Sequence, residues 1–202
     1  MKPTPESKHD AIIEELNEIS NHIDKSQFAF KFNRFKEDAN QMISSAPELA
    51  YTILGIVACF ENDLASMHKY HQNAIKLSGE SSYTFNQYSA SLAGQGLLEQ
   101  AYTYAYKAYK KVKEDREILI KLMNFAYCLG KTDEYENFKK RLIKLGFDFH
   151  DPHDFLEDSD DFLQNAFGIV DRMIANNPAL IIESDPDFEA FVDELVDGVD
   201  IS

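Results

Sequence analysis

The chain of 202 residues contains no tryptophan, six prolines, eight glycines and only two cysteines, Cys59 and Cys128. So little cysteine excludes a disulfide scaffold. Because both cysteines lie in apolar runs, we expect buried, reduced thiols in a reducing compartment. The longest apolar run near them, Ile53–Phe60, is far shorter than the about 20 residues that span a bilayer. The first residues show no apolar signal sequence. These absences predict a cytoplasmic protein that does not enter a membrane.

Basic residues are also scarce, with 20 Lys and Arg against 35 Asp and Glu and a net charge of −15. This balance disfavours nucleic-acid binding, because phosphate contacts need clustered cations. The acidic excess is confined to one part of the chain. Residues 1–147 carry 19 acids and 19 bases, whereas residues 148–202 carry 16 acids and one base. The asymmetry indicates two modules, although an acidic surface that only aids solubility would give the same composition.

The middle of the chain repeats every 34 residues, in three blocks that align without gaps: 48–81, 82–115 and 116–149. Seven positions of the block carry the pattern, mostly with apolar or small residues. These residues are Tyr51, Phe85 and Leu119 at position 4, Leu54, Tyr88 and Leu122 at position 7, Gly55, Ser89 and Met123 at position 8, Ala58, Leu92 and Ala126 at position 11, Asn62, Gly96 and Gly130 at position 15, Met67, Ala101 and Tyr135 at position 20, and Ala74, Ala108 and Leu142 at position 27.

The spacing of these positions predicts a pair of helices in each block. Positions 4, 7, 8 and 11 fall on one stripe of a helix, and positions 20 and 27 begin a second stripe. Gly or Asn at position 15 can adopt the left-handed conformation that ends a helix. One such pair cannot bury its own apolar stripe, so the blocks must stack on one another.

The period and the residue classes resemble the tetratricopeptide repeat (TPR) family. The second block fits best, through Phe85, Tyr88, Ser89, Leu92, Gly96, Ala101, Ala105 and Ala108. The other blocks depart from the family pattern at Met67, His71, Tyr135 and Leu142, and no block has its closing proline. The resemblance implies an all-α fold, namely a TPR-like superhelix of helical hairpins (an α-solenoid), and the spacing of apolar residues in the flanks predicts extra helices at both ends.

The flanks divide the chain into three predicted regions. Residues 1–47 form an N-terminal helical hairpin, with one helix from Glu6 to Ile23 and another from Gln27 to Ser44. Residues 48–149 form the three TPR-like repeats. Residues 150–202 form an acidic C-terminal region with two amphipathic helices, which either binds a partner or caps the repeats.

Residues that could carry chemistry are few. One loop crowds together five potential metal ligands: Asp148, His150, Asp151, His153 and Asp154. Their spacing matches no established metal motif, so a solvated loop is the preferred interpretation. His68 and His71 are three residues apart, but His71 falls at a packing position and is predicted to be a core histidine. No nucleophile elbow or phosphate loop is present. We therefore expect neither an enzyme nor a cofactor.

The resemblance also implies a binding groove lined by the first helix of each repeat. The groove positions of this chain that we expect to bind a partner are Leu49, Thr52, Ile56, Tyr83, Asn86, Ala90, Ile120, Asn124 and Tyr127. Such a groove is mostly apolar, and its two amides could pair with the backbone of a bound peptide. Only Lys121 is a cation near it, which disfavours the family's carboxylate clamp. This interpretation predicts a non-catalytic adaptor or scaffold that binds a peptide or helix of another protein.

Two alternatives use the acidic C-terminal region instead. In the first, the protein neutralises a basic partner, as an immunity protein, an antitoxin or an escort chaperone does, and such binding weakens with salt. In the second, the acidic helices fold back over the repeats and cover the groove, because Phe188, Phe191 and Leu195 need a neighbouring apolar surface.

Overall fold

The computed structural model describes residues 4–20, 22 and 25–147, and this part of the chain is helical, with no strand. A 3₁₀ turn over Ser26–Phe28 precedes the second helix. The α-helices are α1 (Pro5–Ser20), α2 (Ala29–Met42), α3 (Pro47–Phe60), α4 (Leu64–Leu77), α5 (Ser82–Gly94), α6 (Leu98–Lys111), α7 (Arg116–Cys128) and α8 (Thr132–Lys144). The predicted all-α class is confirmed for these residues. The two helices predicted within 150–202 lie outside the described residues.

Each 34-residue block spans two consecutive helices that pack against each other: α3 with α4, α5 with α6, and α7 with α8. The first helix of each pair ends in the same way. At the three ends, the backbone N–H groups of Asp63, Leu97 and Lys131 donate to the carbonyls of Ala58, Leu92 and Ala126, at 2.9, 2.9 and 2.8 Å. These bonds recur at the sequence period, so the repetition in the sequence is also a repetition of local structure.

Position 15 of each block adopts the left-handed conformation that its residue type predicts. The φ angles of Asn62, Gly96 and Gly130 are 57°, 73° and 66°. Glycine has no Cβ to oppose a positive φ, and asparagine tolerates it better than most residues. The second helix of each pair can therefore start within a few residues of the end of the first helix.

Side-chain caps help to fix where α4, α5 and α7 begin. Asp63, Ser81 and Asp115 precede α4, α5 and α7, and each accepts a hydrogen bond from a backbone N–H of the first turn. Helix α3 begins instead with Pro47, whose missing N–H would have no intrahelical partner there. These local signals place the helix boundaries close to the block boundaries found in the sequence.

The core forms two adjoining clusters of buried side chains. One is built from α1, α2 and α3, and the other runs from α3 to α8. Phe60 and Tyr70 pack against both clusters, so α3 and α4 join them. Buried side chains therefore connect each helix pair to the next.

The two N-terminal helices both pack on α3. The apolar stripe of α1 consists of Ile12, Leu16 and Ile19, and all three are buried in the cluster that contains the inner residues of α3. Helix α2 adds Phe32 and Phe35 to this cluster. Helix α1 packs more closely against α3 than against α2. It consequently lies over α3, and this position bears on the groove described below.

The two cysteines differ in their environments. Cys59 is buried, as predicted, and its thiol donates to the Ser91 carbonyl at 3.4 Å. The prediction that Cys128 is buried was wrong, because Cys128 is the last residue of α7 and is exposed. Phe125 and Ala126, three and two residues before it, are buried in the core. Among the helices described here, none combines the length and the apolarity needed to cross a bilayer.

Candidate functional site: the groove face

The predicted groove residues lie on α3, α5 and α7, and we call the surface that carries them the groove face. Its residues are Leu49, Thr52 and Ile56 on α3, Tyr83, Asn86 and Ala90 on α5, and Ile120, Asn124 and Tyr127 on α7. The α3 part is covered. Thr52 is fully buried, and its hydroxyl donates to the Glu48 carbonyl at 2.8 Å. Leu49 and Ile56 pack against the cluster to which α1 contributes.

Helix α1 extends beyond α3 and reaches α5. The Nε2 atom of His9 lies 2.8 Å from the hydroxyl of Tyr83, and Nδ1 lies 3.0 Å from Asp10 Oδ1. Both contacts are satisfied when Nδ1–H donates to the carboxylate and Nε2 accepts the phenol proton. Burial, then the charges of Asp10 and Glu117, raise the pKa of Tyr83, which keeps that proton in place. Sequence reasoning missed this contact, because no local signal pairs residues so distant in the chain.

A cluster of three polar side chains joins α5 to α7, and we call it the polar bridge: Asn86, Glu117 and Lys121. The Asn86 amide nitrogen donates to Glu117 Oε1 at 2.8 Å, and Lys121 Nζ donates to Asn86 Oδ1 at 2.8 Å. Lys121 also pairs with Glu117 at 3.3 Å. The positive charge of Lys121, helped by the amide of Asn86, lowers the pKa of Glu117, so this carboxyl group is ionised at neutral pH. Asn86 therefore uses both ends of its amide within the protein.

The remaining groove residues differ in accessibility. Ala90 is exposed, and Ile120 is partly buried against the core. Asn124 is partly buried and has no side-chain hydrogen bond to a described residue. Tyr127 is 51% exposed, and its ring centre lies 5.8 Å from that of Tyr135. The accessible part of the groove face is thus formed by α5 and α7, with an amide at Asn124 and aromatic rings at both ends.

An acidic cleft adjoins this accessible part. It is an open cleft of about 500 Å³ between α1 and the start of α5, lined by His9, Asp10, Ile13, Glu14, Asn17, Glu18 and Tyr83. Asp10, Glu14 and Glu18 are spaced by four residues, so the three carboxylates share one side of α1. They give this end of the groove face a negative potential.

One buried pair has the spacing of a serine nucleophile and its base. His71 Nε2 lies 2.8 Å from Ser91 Oγ, but both residues are buried, with 1% and 5% exposed. The other ring nitrogen of His71 has no hydrogen-bond partner among the described residues, so the orienting third group is missing there. The pair packs between α4 and α5, and the prediction of a core histidine at position 71 is confirmed.

Metal ligands are not grouped in the described part of the chain. Within residues 4–20, 22 and 25–147, no three His, Cys, Asp or Glu side chains come together to hold an ion. His68, the histidine one helical turn before His71, instead has its Nδ1 atom 2.6 Å from the hydroxyl oxygen of Tyr88. The His- and Asp-rich loop that begins at Asp148 lies outside the described residues.

Comparisons of the chain with protein-family models, curated proteins and solved structures find no match. The functional conclusion therefore depends on the groove face itself, with its covered α3 part, its polar bridge and its accessible α5 and α7 part.

The two groove amides are expected to differ in their contribution to stability. Asn86→Ala removes two hydrogen bonds, one of them from an ammonium group, and should lower the free energy of unfolding by about 1–2 kcal/mol. Asn124→Ala removes no hydrogen bond to a described residue and should change it by less than about 0.5 kcal/mol. Urea unfolding of both variants measures the difference. An equal decrease in the free energy of unfolding in the two variants would contradict the hydrogen bonds of the polar bridge.

Proposed function

We propose that this chain is a TPR-like superhelix of helical hairpins that acts as a non-catalytic adaptor. In this proposal, it holds a peptide or helix of another protein against the α5 and α7 part of the groove face. The observation that supports the proposal is that a predicted groove residue of α5 is bonded to α7, the other helix that carries accessible groove positions. Asn86 of α5 contacts Glu117 and Lys121 of α7, and Tyr83 lies beside them with 36% of its surface exposed.

The chemistry of this surface favours one kind of ligand. Half-exposed tyrosines provide large, rigid contact area at a small entropic cost, and the Asn124 amide can pair with a peptide backbone. The carboxylates of Asp10, Glu14 and Glu18 border the surface at the α1 end. We therefore propose a ligand segment with an apolar or aromatic anchor for α5 and α7 and basic residues toward α1.

The polar bridge has a structural role in this proposal. Helices α5 and α7 are linked across the groove face by the hydrogen bonds of Asn86. A surface that is already held in place loses less conformational entropy when a ligand binds. The bridge would therefore keep Tyr83, Asn124 and Tyr127 at a fixed separation for the ligand.

Site-specific photo-cross-linking tests this proposal. A benzophenone amino acid replaces Tyr83, Tyr127 or Tyr106 in the full-length protein, which is then irradiated in native lysate. Tyr106 lies on α6, outside the groove face, and its exposure of 37% matches the 36% of Tyr83. We expect one protein to be captured at both groove positions and not at position 106. Capture of the same protein at all three positions would contradict the proposal.

A further inference from the structure

Five lysines lie in or close to the C-terminal ends of α6 and α8, at one edge of the molecule. This basic edge consists of Lys110, Lys111, Lys113, Lys140 and Lys144, all exposed. Lys110 and Lys144 occupy the same repeat position in neighbouring blocks. The edge belongs to the second helices of the blocks and to the segment that follows α6, whereas the groove face belongs to the first helices.

Three contacts show that α6 and α8 run side by side in the same direction. Going along both helices, the Tyr102 hydroxyl donates to Glu134 at 2.7 Å, and the ring centres of Tyr109 and Phe138 are 5.9 Å apart. The Arg141 guanidinium then donates to the Lys113 carbonyl at 3.3 Å. The C-terminal ends of the two helices are consequently adjacent, and so are their lysines.

The described part of the chain hardly neutralises this charge. Lys111 has one carboxylate within ion-pair distance, that of Glu80 at 4.0 Å. No carboxylate of a described residue lies within 4.0 Å of the ammonium groups of Lys110, Lys113, Lys140 or Lys144. Lysines in a last helical turn interact favourably with the helix dipole, but this effect is worth about 0.3–1 kcal/mol per residue and leaves the net charge unchanged.

The acidic part of the chain starts beside this edge. Phe147, the last described residue, is buried, and its N–H donates to the Leu142 carbonyl at 3.0 Å. The chain therefore enters residues 148–202, with their 16 acids and one base, directly after α8. A tethered segment of this kind faces a nearby site at an effective concentration on the order of millimolar.

We propose that the basic edge binds the acidic residues 148–202 of the same chain. Opposite charge supplies the attraction, and the short covalent connection from Lys144 to residue 148 favours the same molecule over another one. Exposed charges are screened beyond about 8 Å at physiological salt, so the contact weakens as salt is added. In this arrangement the acidic region acts on its own chain and does not neutralise a basic partner.

Zero-length carbodiimide cross-linking of the full-length protein tests the proposal, because it joins only lysines and carboxylates that touch. The monomer is isolated and its cross-links are mapped by mass spectrometry. We expect carboxylates of residues 148–202 to be joined mainly to the five lysines of the basic edge. The yield of these cross-links should decrease severalfold in about 0.5 M salt, where the screening length is only about 4 Å.

A matched pair of variants provides the control. Lys140→Glu/Lys144→Glu reverses two charges of the basic edge, and Lys69→Glu/Lys76→Glu reverses two exposed lysines of α4. Lys76 occupies the repeat position of Lys144 in the first block. The yield of cross-links between residues 148–202 and the remaining Lys110, Lys111 and Lys113 should decrease severalfold in the first variant only. Equal yields in both variants, or cross-links confined to covalent dimers, would overturn the proposal.

Discussion

Replacing Gly55 by alanine is expected to lower the free energy of unfolding by about 2–3 kcal/mol. A Cβ at position 55 would lie 2.7, 2.7 and 2.9 Å from Cδ2, Nε2 and Cε1 of His71. The ring cannot move aside, because it is buried, bonded to Ser91 and stacked on Tyr88 with ring centres 5.0 Å apart. Glycine is therefore required at this point of α3 for close packing against α4, and its backbone conformation is that of an ordinary helix.

The second substitution His71→Ala supplies the control. With the imidazole removed, Gly55→Ala should become neutral or stabilising by up to about 1 kcal/mol, because alanine favours a helix interior over glycine. Chemical denaturation of the two single variants and the double variant gives the coupling between the positions. Additive effects would contradict the close approach of Gly55 and His71.

Lowering the pH from 7 to 4.5 is expected to remove about 2–3 kcal/mol of stability through His71 alone. Burial, with a smaller contribution from the charge of His68, lowers the pKa of His71 to about 3. The unfolded chain, with an ordinary pKa near 6.5, then binds a proton that the folded chain excludes. The stabilisation is complete above the unfolded pKa and is lost as the pH falls toward the folded pKa, at about 1.4 kcal/mol per pH unit.

The variant His71→Gln isolates this effect, because a Gln amide can reach Ser91 in place of Nε2 but does not titrate. Its stability should vary less between pH 7 and pH 4.5 than that of the wild type. Glu15 and Glu117, whose pKa values are lowered in the folded protein, begin to lose their own stabilising effect near the acid end of this range. The variant keeps both residues, so this loss is common to the two proteins and cancels in the comparison. In the wild type, the His71 resonances should stay those of a neutral ring at pH 5. A charged His71 at that pH in the folded protein would contradict the assignment.

The parts of the fold that follow from local chemistry could be predicted from the sequence. Ala58, Leu92 and Ala126 are buried where the helical spacing puts them, and Asn62 and Gly130 have the positive φ that their residue types allow. Gly55 lies on the predicted stripe of α3 and packs there against the paired helix α4. Each of these depends on the helical period or on a single turn, and both are encoded within a few neighbouring residues.

The parts that depend on distant contacts could not be predicted. Nothing near His9 in the sequence indicates that it meets Tyr83, so the sequence does not show that α1 reaches α5. The sequence places Asn86 on the groove face, but its two bonds depend on the separation of α5 and α7. An apolar neighbourhood in sequence also does not determine which side of a helix faces the core, and Cys128 is exposed for this reason.

The most direct test of the central proposal is the affinity of the groove face for the segment captured by cross-linking. Calorimetric titration with this segment compares the wild type, Asn124→Ala and a control, Thr103→Ala, which replaces an exposed polar residue on α6. Loss of a backbone-pairing amide should weaken binding about tenfold, or about 1.4 kcal/mol, with no change in the control. Equal affinities of the wild type and Asn124→Ala, or equal losses in both variants, would contradict binding at α5 and α7.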